Sequence, residues 1–158
     1  MSEEPFIVCD NLEKVYKTNP RYPGRPGDVF IGKNVHVGVG CILSGISAGI
    51  YISDNCGFSA GCRLYAFTSH YRSEKDPSNR DVCFGPQVAP DRQCIVEGPI
   101  YLEENVGVAL NSVVLPGVTI ERDSFIAVNT VVTRDIEKNS FCRGNPGKVV
   151  GKRFKTND

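Results

Sequence analysis

Residues 96–132 read VEGPIY LEENVG VALNSV VLPGVT IERDSF IAVNTV V, and each group of six opens on an aliphatic side chain: Val96, Leu102, Val108, Val114, Ile120, Ile126, Val132. An α-helix returns a side chain to the same face about every 3.6 residues and a strand every second residue, so a sustained period of six fits neither. A short strand and a turn per hexad, stacked on itself, does fit.

The ruler extends upstream. Ile31, Val37 and Leu43 keep the same step, the phase slips by three, and Ile46, Ile52, Phe58 and Leu64 resume it. Four residues after each anchor stands a small or branched residue: Val35, Cys41, Ile50, Cys56, Cys62 and Thr68 in the first run, then Ile100, Val106, Ser112, Val118, Ser124, Thr130 and Ile136. One residue after the anchor is often Gly, Ser or Ala, as at Gly32, Gly38, Ser44, Ser47, Ser53, Ser59, Ala109 and Ala127. Three hexads close one triangular turn of an all-β prism. Its anchors point inward onto the coils above and below, and the small neighbours let the corners bend.

Composition bounds the rest. The 158 residues suit one domain, and 41% apolar content can fill its core. Sixteen Gly and ten Pro, with no Trp and one Met, predict many turns and few long helices. The formal charge is zero, without a basic stripe, which argues against a nucleic-acid partner. No apolar run is long enough to span a membrane, and Met1 to Glu4 are acidic where a leader would be basic; a soluble cytoplasmic protein is expected. The seven cysteines, Cys9, Cys41, Cys56, Cys62, Cys83, Cys94 and Cys142, form an odd set without a CxxC pair, so neither disulfides nor a zinc site is expected. Three of them occupy the small inward position of the repeat, where a thiol acts as a compact hydrophobe.

The single domain, 1–158, divides into an irregular N-terminal cap at 1–29, a first repeat block at 30–68, a polar loop at 69–95, a second block at 96–137 and a tail at 138–158. In the cap, Leu12 to Lys17 has the pattern of one helical turn. A loop of that length inside a compact domain is usually functional or disordered. It opens Phe67-Thr68-Ser69-His70-Tyr71-Arg72. Imidazole takes and returns a proton near neutral pH, which makes His70 the candidate base; the alternative is a solvated loop histidine.

The hexad ruler, the loop opening on His70, the run Asn111 to Ile120, the segment Val131 to Ile136 and the ending Gly144-Asn145-Pro146-Gly147-Lys148-Val149-Val150 together resemble the hexapeptide-repeat acyltransferases. Within them the chain is most similar to the small sugar O-acetyltransferases of galactoside, maltose and capsular polysaccharide type. The resemblance implies a left-handed parallel β-helix, a homotrimer with active sites between neighbouring prisms, acetyl-CoA as co-substrate and no metal. It implies acetyl transfer to a hydroxyl of a sugar or saccharide precursor, as in polysaccharide biosynthesis, with His70 as general base. The coenzyme arm then lies along Ala109, Ala127, Val128, Thr133 and Arg134, read through backbone groups, and Lys148 meets the nucleotide phosphates. Tyr71 and Arg72 either contact the acceptor or anchor the loop.

The chain departs from the family pattern in two respects. Many relatives carry a Trp where this chain reads Asn105-Val106-Gly107-Val108, and the acidic acceptor contacts of larger relatives have no assignable match at Asp10 or Asp28. An acidic partner for His70 is expected, with Glu74, Asp76, Asp81, Glu97 and Glu103 all open.

An aminosugar N-acetyltransferase is the nearest rival, and a non-enzymatic β-helix scaffold the rival from another class. A zinc anhydrase on the same prism takes three histidines, and the chain has only His36 and His70, with His36 expected on the outer wall. Gly38-Val39-Gly40 opens no helix, and Gly147-Lys148 is followed by Val149, so neither a dinucleotide fingerprint nor a phosphate loop is present.

Overall fold

The hexads build a left-handed parallel β-helix with three sheet faces. In a computed structural model, residues 7–9, 29–45, 48–84 and 88–155 are described. The proposed turn Leu12 to Lys17, the anchor Ile46, Ser47, Asp10 and Asp28 lie outside the described residues.

Face one stacks Val29–Ile31, Ile50–Ile52, Ile100–Leu102 and Thr119–Ile120. Face two begins at Ile7–Cys9 and continues through Val35–Val37, Gly57–Phe58, Gly107–Val108, Phe125–Ile126 and Ser140–Arg143, all parallel. Face three stacks Ile42–Ser44, Arg63–Tyr65, Val113–Val114 and Val131–Val132.

Anchors meet anchors across the coils. Phe58 lies between Val37 and Val108, and Leu64 between Leu43 and Val114. These side chains, with the inward Val35, Cys41, Cys56, Cys62, Val106 and Val118, form one continuous buried column. His36 is exposed between two buried valines, as the alternation of a strand requires. The phase slip also has a structural cause. Coils one and two are offset by 21 residues where coils three and four are offset by 18, and the extra length falls at the corner containing Gly49.

The corners differ in detail from the expectation. The residue in left-handed backbone is the third after nine of the described anchors, not the first: Asn34, Asn55, Asn105, Asn111, Asp123 and Asn129, with Gly40, Gly61 and Gly117 in the same role. Asn, Asp and Gly tolerate that conformation best among the residue types. Their side chains then link the coils, Asn34 Nδ2 donating to Asn55 Oδ1 at 3.2 Å and Asn105 Nδ2 to Asp123 Oδ1 at 2.8 Å. Gly38, just after an anchor, is glycine for another reason: a Cβ there would stand 2.7 Å from Ala60 N, too close to the next coil.

Two anchoring positions move. Thr68 and Val96 do not belong to the wall; Phe67–Ser69 and Ile95–Glu97 form a separate antiparallel hairpin in which Thr68 faces Val96. The corner ladder runs Ser44, Ala66, Gly98, Gly117, each N–H donating to the carbonyl one coil below, so the chain leaves the prism after Ala66 and rejoins it at Gly98. Val96 matches the ruler in sequence alone, because a hairpin strand can share the spacing without sharing the core.

The tail is partly prism and partly strap. Ser140–Arg143 adds a sixth wall strand on face two before Lys148–Lys152 turns back antiparallel to it. Arg153 then reaches down the column, Nη1 donating to the carbonyls of Asn105 at 2.5 Å and Ser124 at 3.3 Å, with its guanidinium over Phe154 and Phe125. Arg153→Ala leaves the Asn105 carbonyl without its donor, while the Ser124 carbonyl keeps the Gly107 N–H; it is expected to lower stability by about 1–3 kcal/mol, with Arg153→Lys recovering only part, as read from denaturant midpoints.

The buried thiols make a second prediction. Burial pushes Cys56 up to about 11 and Cys62 up to about 12, and raises Cys41 and Cys142. Their folded pKa values exceed the unfolded one, so their contribution to stability is intact below about pH 9 and is lost as pH climbs towards 12. The unfolding midpoint is expected to fall across that window, and Cys62→Ala to flatten the fall. In native protein these four thiols should resist an aromatic disulfide reagent that titrates all seven after unfolding.

Candidate active site

The hairpin neck sets the position of His70. The two strands zip from Phe67 to Ser69, His70 N–H donates to Cys94 carbonyl at 2.7 Å, and the open loop begins immediately beyond. The backbone of the candidate base is therefore tied to both sides of the neck, while its half-buried side chain stands where the loop opens.

The ring orients itself on its own chain. His70 Nδ1 lies 2.8 Å from Arg72 carbonyl oxygen. A carbonyl only accepts, so the neutral ring carries its hydrogen on Nδ1 and presents a lone pair at Nε2. No described residue hydrogen-bonds Nε2. The expected acidic partner is thus replaced by a backbone oxygen. Among the carboxylates held open for that role, Asp76 accepts from Ser78 Oγ and Ser78 N–H, and the hydroxyl and amide lower its pKa. Glu103 accepts from Arg122 N–H. Asp81 lies near Arg92, which donates to its carbonyl and to Cys83 Sγ.

Tyr71 and Arg72 pack together on this ring. The Tyr71 and His70 centroids are 4.5 Å apart at 35°, and Arg72 Cζ sits 5.0 Å from the Tyr71 centroid.

The residues assigned to the coenzyme border face three. Ala109 and Ala127 are successive rungs at the corner after face two, with exposed Val128 beside them; Thr133 and Arg134 are exposed at the next corner. Gly147 N–H donates to Val131 carbonyl, which seats exposed Lys148 at the end of the same face. The backbone of the two alanines is already engaged. Ala109 and Ala127 N–H donate to Ile126 and Cys142 carbonyls, and their own carbonyls accept from Ser112 N–H and Ser112 Oγ. By contrast, the N–H groups of Leu110 and Val128 have no partner among the described residues. Sequence reasoning missed Leu110, although its place two residues after an anchor, in line with Val39, Ala60 and Val128, was legible in the ruler. The result is an exposed apolar edge along the prism, with Val39 and Leu110 about half exposed and Val128 more so.

No hydrogen bond or ring contact among the described residues joins His70 to this edge. A surface depression lined by Glu103, Glu104, Glu121, Arg122 and Lys138 lies at a different corner and contains none of the assigned residues. No group of three or more His, Cys, Asp or Glu among the described residues could hold a metal. No helix among them is long and apolar enough to cross a membrane.

No family model matches the chain. A galactoside O-acetyltransferase of Lactococcus lactis subsp. lactis is 30% identical over 145 residues, covering 82% of this chain and 60% of that protein. Over most of its own length the chain is therefore similar to an acetyltransferase, and it carries hexapeptide repeats. It spans 26% and 28% of relatives from Schizosaccharomyces pombe and Staphylococcus aureus that it also matches.

Solved structures agree on the fold of these hexapeptide-repeat proteins. A variant of an N-acyltransferase from Bacillus cereus, in complex with dTDP-4-amino-4,6-dideoxyglucose and coenzyme A, superposes with a TM-score of 0.73 at 19% identity, over 80% of this chain and 64% of that one. A maltose O-acetyltransferase from Clostridium difficile 630 gives 0.54 at 24% identity, over 79% and 65%.

Proposed function

We propose that this hexapeptide-repeat protein transfers acetyl from acetyl-CoA to a hydroxyl of a sugar or saccharide precursor, with His70 as general base. The observation that carries this reading is the fixed Nδ1–H of His70, which directs an unprotonated Nε2 to where an acceptor hydroxyl would sit. Nε2 draws the hydroxyl proton as the oxygen attacks the thioester carbonyl. Charge gathering on that carbonyl oxygen meets a backbone N–H, for which Leu110 and Val128 are the free donors. The coenzyme thiolate leaves and takes the proton back from the imidazolium. Transfer is direct, through a ternary complex, since Cys83 and Cys94 have no histidine hydrogen-bonded to their thiols among the described residues.

Ala109, Ala127, Val128, Thr133 and Arg134 line the coenzyme arm in this reading, and Lys148 faces its phosphates. Since no hydrogen bond or ring contact among the described residues links His70 to this edge, the site in this reading is completed between copies. A homotrimer that buries the exposed apolar edge against a neighbour and the coenzyme accounts for both features. The same reading puts the enzyme in the cytoplasm, where acetyl-CoA and sugar precursors are at hand, with polysaccharide biosynthesis as the setting.

The likeness to an N-acyltransferase bound to an amino sugar favours a second reading, aminosugar N-acetylation on the same groove. Coenzyme-thiol release across hydroxyl and amino acceptors separates the two. Transfer confined to amines overturns the hydroxyl reading, and failure to bind acetyl-CoA overturns both in favour of a scaffold.

A further inference from the structure

We propose that Tyr71 and Arg72 are positioning residues for the His70 imidazole and not contacts to the acceptor; the proposal rests on reading His70 as the general base. The neck fixes the His70 backbone through Cys94 carbonyl but leaves the side-chain torsions free. Two further contacts remove that freedom. Arg72 carbonyl accepts from Nδ1–H at 2.8 Å, folding the ring back over the next two residues. A neutral imidazole in water favours the other tautomer, with hydrogen on Nε2, and in that form Nε2 cannot accept a proton. The carbonyl therefore selects the reactive tautomer.

The Tyr71 ring packs on the imidazole at a centroid separation within the range of attractive aromatic pairs. Arg72 then holds Tyr71 from its other contact, its guanidinium within cation–π distance of the ring. Backbone and side chain of Arg72 thus act on the same base by two routes, one through the hydrogen bond and one through Tyr71. An aromatic already engaged by an imidazole and a guanidinium has less ring surface left on which to stack a sugar, although 70% of the residue is exposed.

Steady-state kinetics on Tyr71→Ala, Tyr71→Phe, His70→Ala and the Tyr71→Ala/His70→Ala double variant test this, together with long-range 15N NMR of the two histidines. His36 serves as the reference signal. Tyr71→Ala is expected to lower kcat about tenfold with both KM values within about twofold, and Tyr71→Phe, which keeps the ring, to restore it. In the His70→Ala background Tyr71→Ala should add nothing, because its effect passes through the missing ring. The His70 ring should show the Nδ1–H tautomer in wild type and a mixture in Tyr71→Ala.

A raised acceptor KM at unchanged kcat, or full additivity with His70→Ala, overturns the proposal. Undiminished turnover in His70→Ala overturns the general-base reading instead, and the tautomer measurement then decides whether Tyr71 positions the ring.

Discussion

His70→Ala is expected to cut turnover by roughly 10²- to 10⁴-fold while acetyl-CoA still binds. That range is what a positioned general base contributes when it accepts a proton in the transition state. The loss should fall on kcat and on kcat/KM for the acceptor together, since the proton moves only as the bond forms. Coenzyme affinity should survive, because a general base acts on the acceptor hydroxyl, while the contacts proposed for the coenzyme are the edge bearing Ala109, Leu110 and Val128 and, for its phosphates, Lys148. Single-turnover coenzyme release, with calorimetric titration of acetyl-CoA, separates the two effects. Turnover within twofold of wild type would remove His70 from the mechanism.

Val114→Lys is expected to leave no folded protein. Val114 is fully buried, with Leu64 beneath it and Val132 above, inside the column of buried apolar side chains. An ammonium placed there has no counter-charge and no water, at a cost of more than about 4 kcal/mol. The whole stability of a domain is about 5–15 kcal/mol, and a stack that couples each coil to the next loses several contacts at once. Val113→Lys, one residue earlier on the same strand, faces outward and should be tolerated, because successive strand side chains point to opposite faces. Circular dichroism and solubility of the two variants side by side give the answer, and a cooperative unfolding transition for Val114→Lys near that of wild type would contradict the buried column.

Much of this architecture could be read from spacing because a β-helix is quasi-one-dimensional: each coil touches its neighbours, and the neighbours lie a nearly constant number of residues away. Leu102, Val108, Val114, Ile120, Ile126 and Val132 could be placed inward from periodicity alone, and the buried Ser112, Ser124 and Thr130 with them. The rule failed where distance along the chain stopped predicting distance in space. Val96 keeps the period but pairs with Thr68 across a hairpin. The tail shortens the coil offset to 16 residues at Ser140 and Ser124, and there Ser140–Arg143 joins the wall although the ruler had run out.

The candidate site was legible only in part. His70 could be singled out because a titratable ring opens the one long break in the repeat. Its partner could not, since a backbone carbonyl leaves no mark in the residue types, and a search among Glu74, Asp76, Asp81, Glu97 and Glu103 looked for charge where the chain uses Arg72 oxygen. That the N–H groups of Leu110 and Val128 have no partner among the described residues, while those of Ala109 and Ala127 are engaged, likewise emerges only when each amide is traced to its acceptor.

The sequence by itself determined the repeat, its inward anchors and the place where the wall opens, because burial of an aliphatic every sixth residue is a local and repeated constraint. Tertiary structure alone decided which corner residue turns left-handed, where the loop's neck closes and which tautomer His70 adopts. The first depends on how one coil settles on the next, the second on pairing across an antiparallel hairpin and the third on a hydrogen bond to a backbone oxygen within the loop, none of which is marked in the residue types.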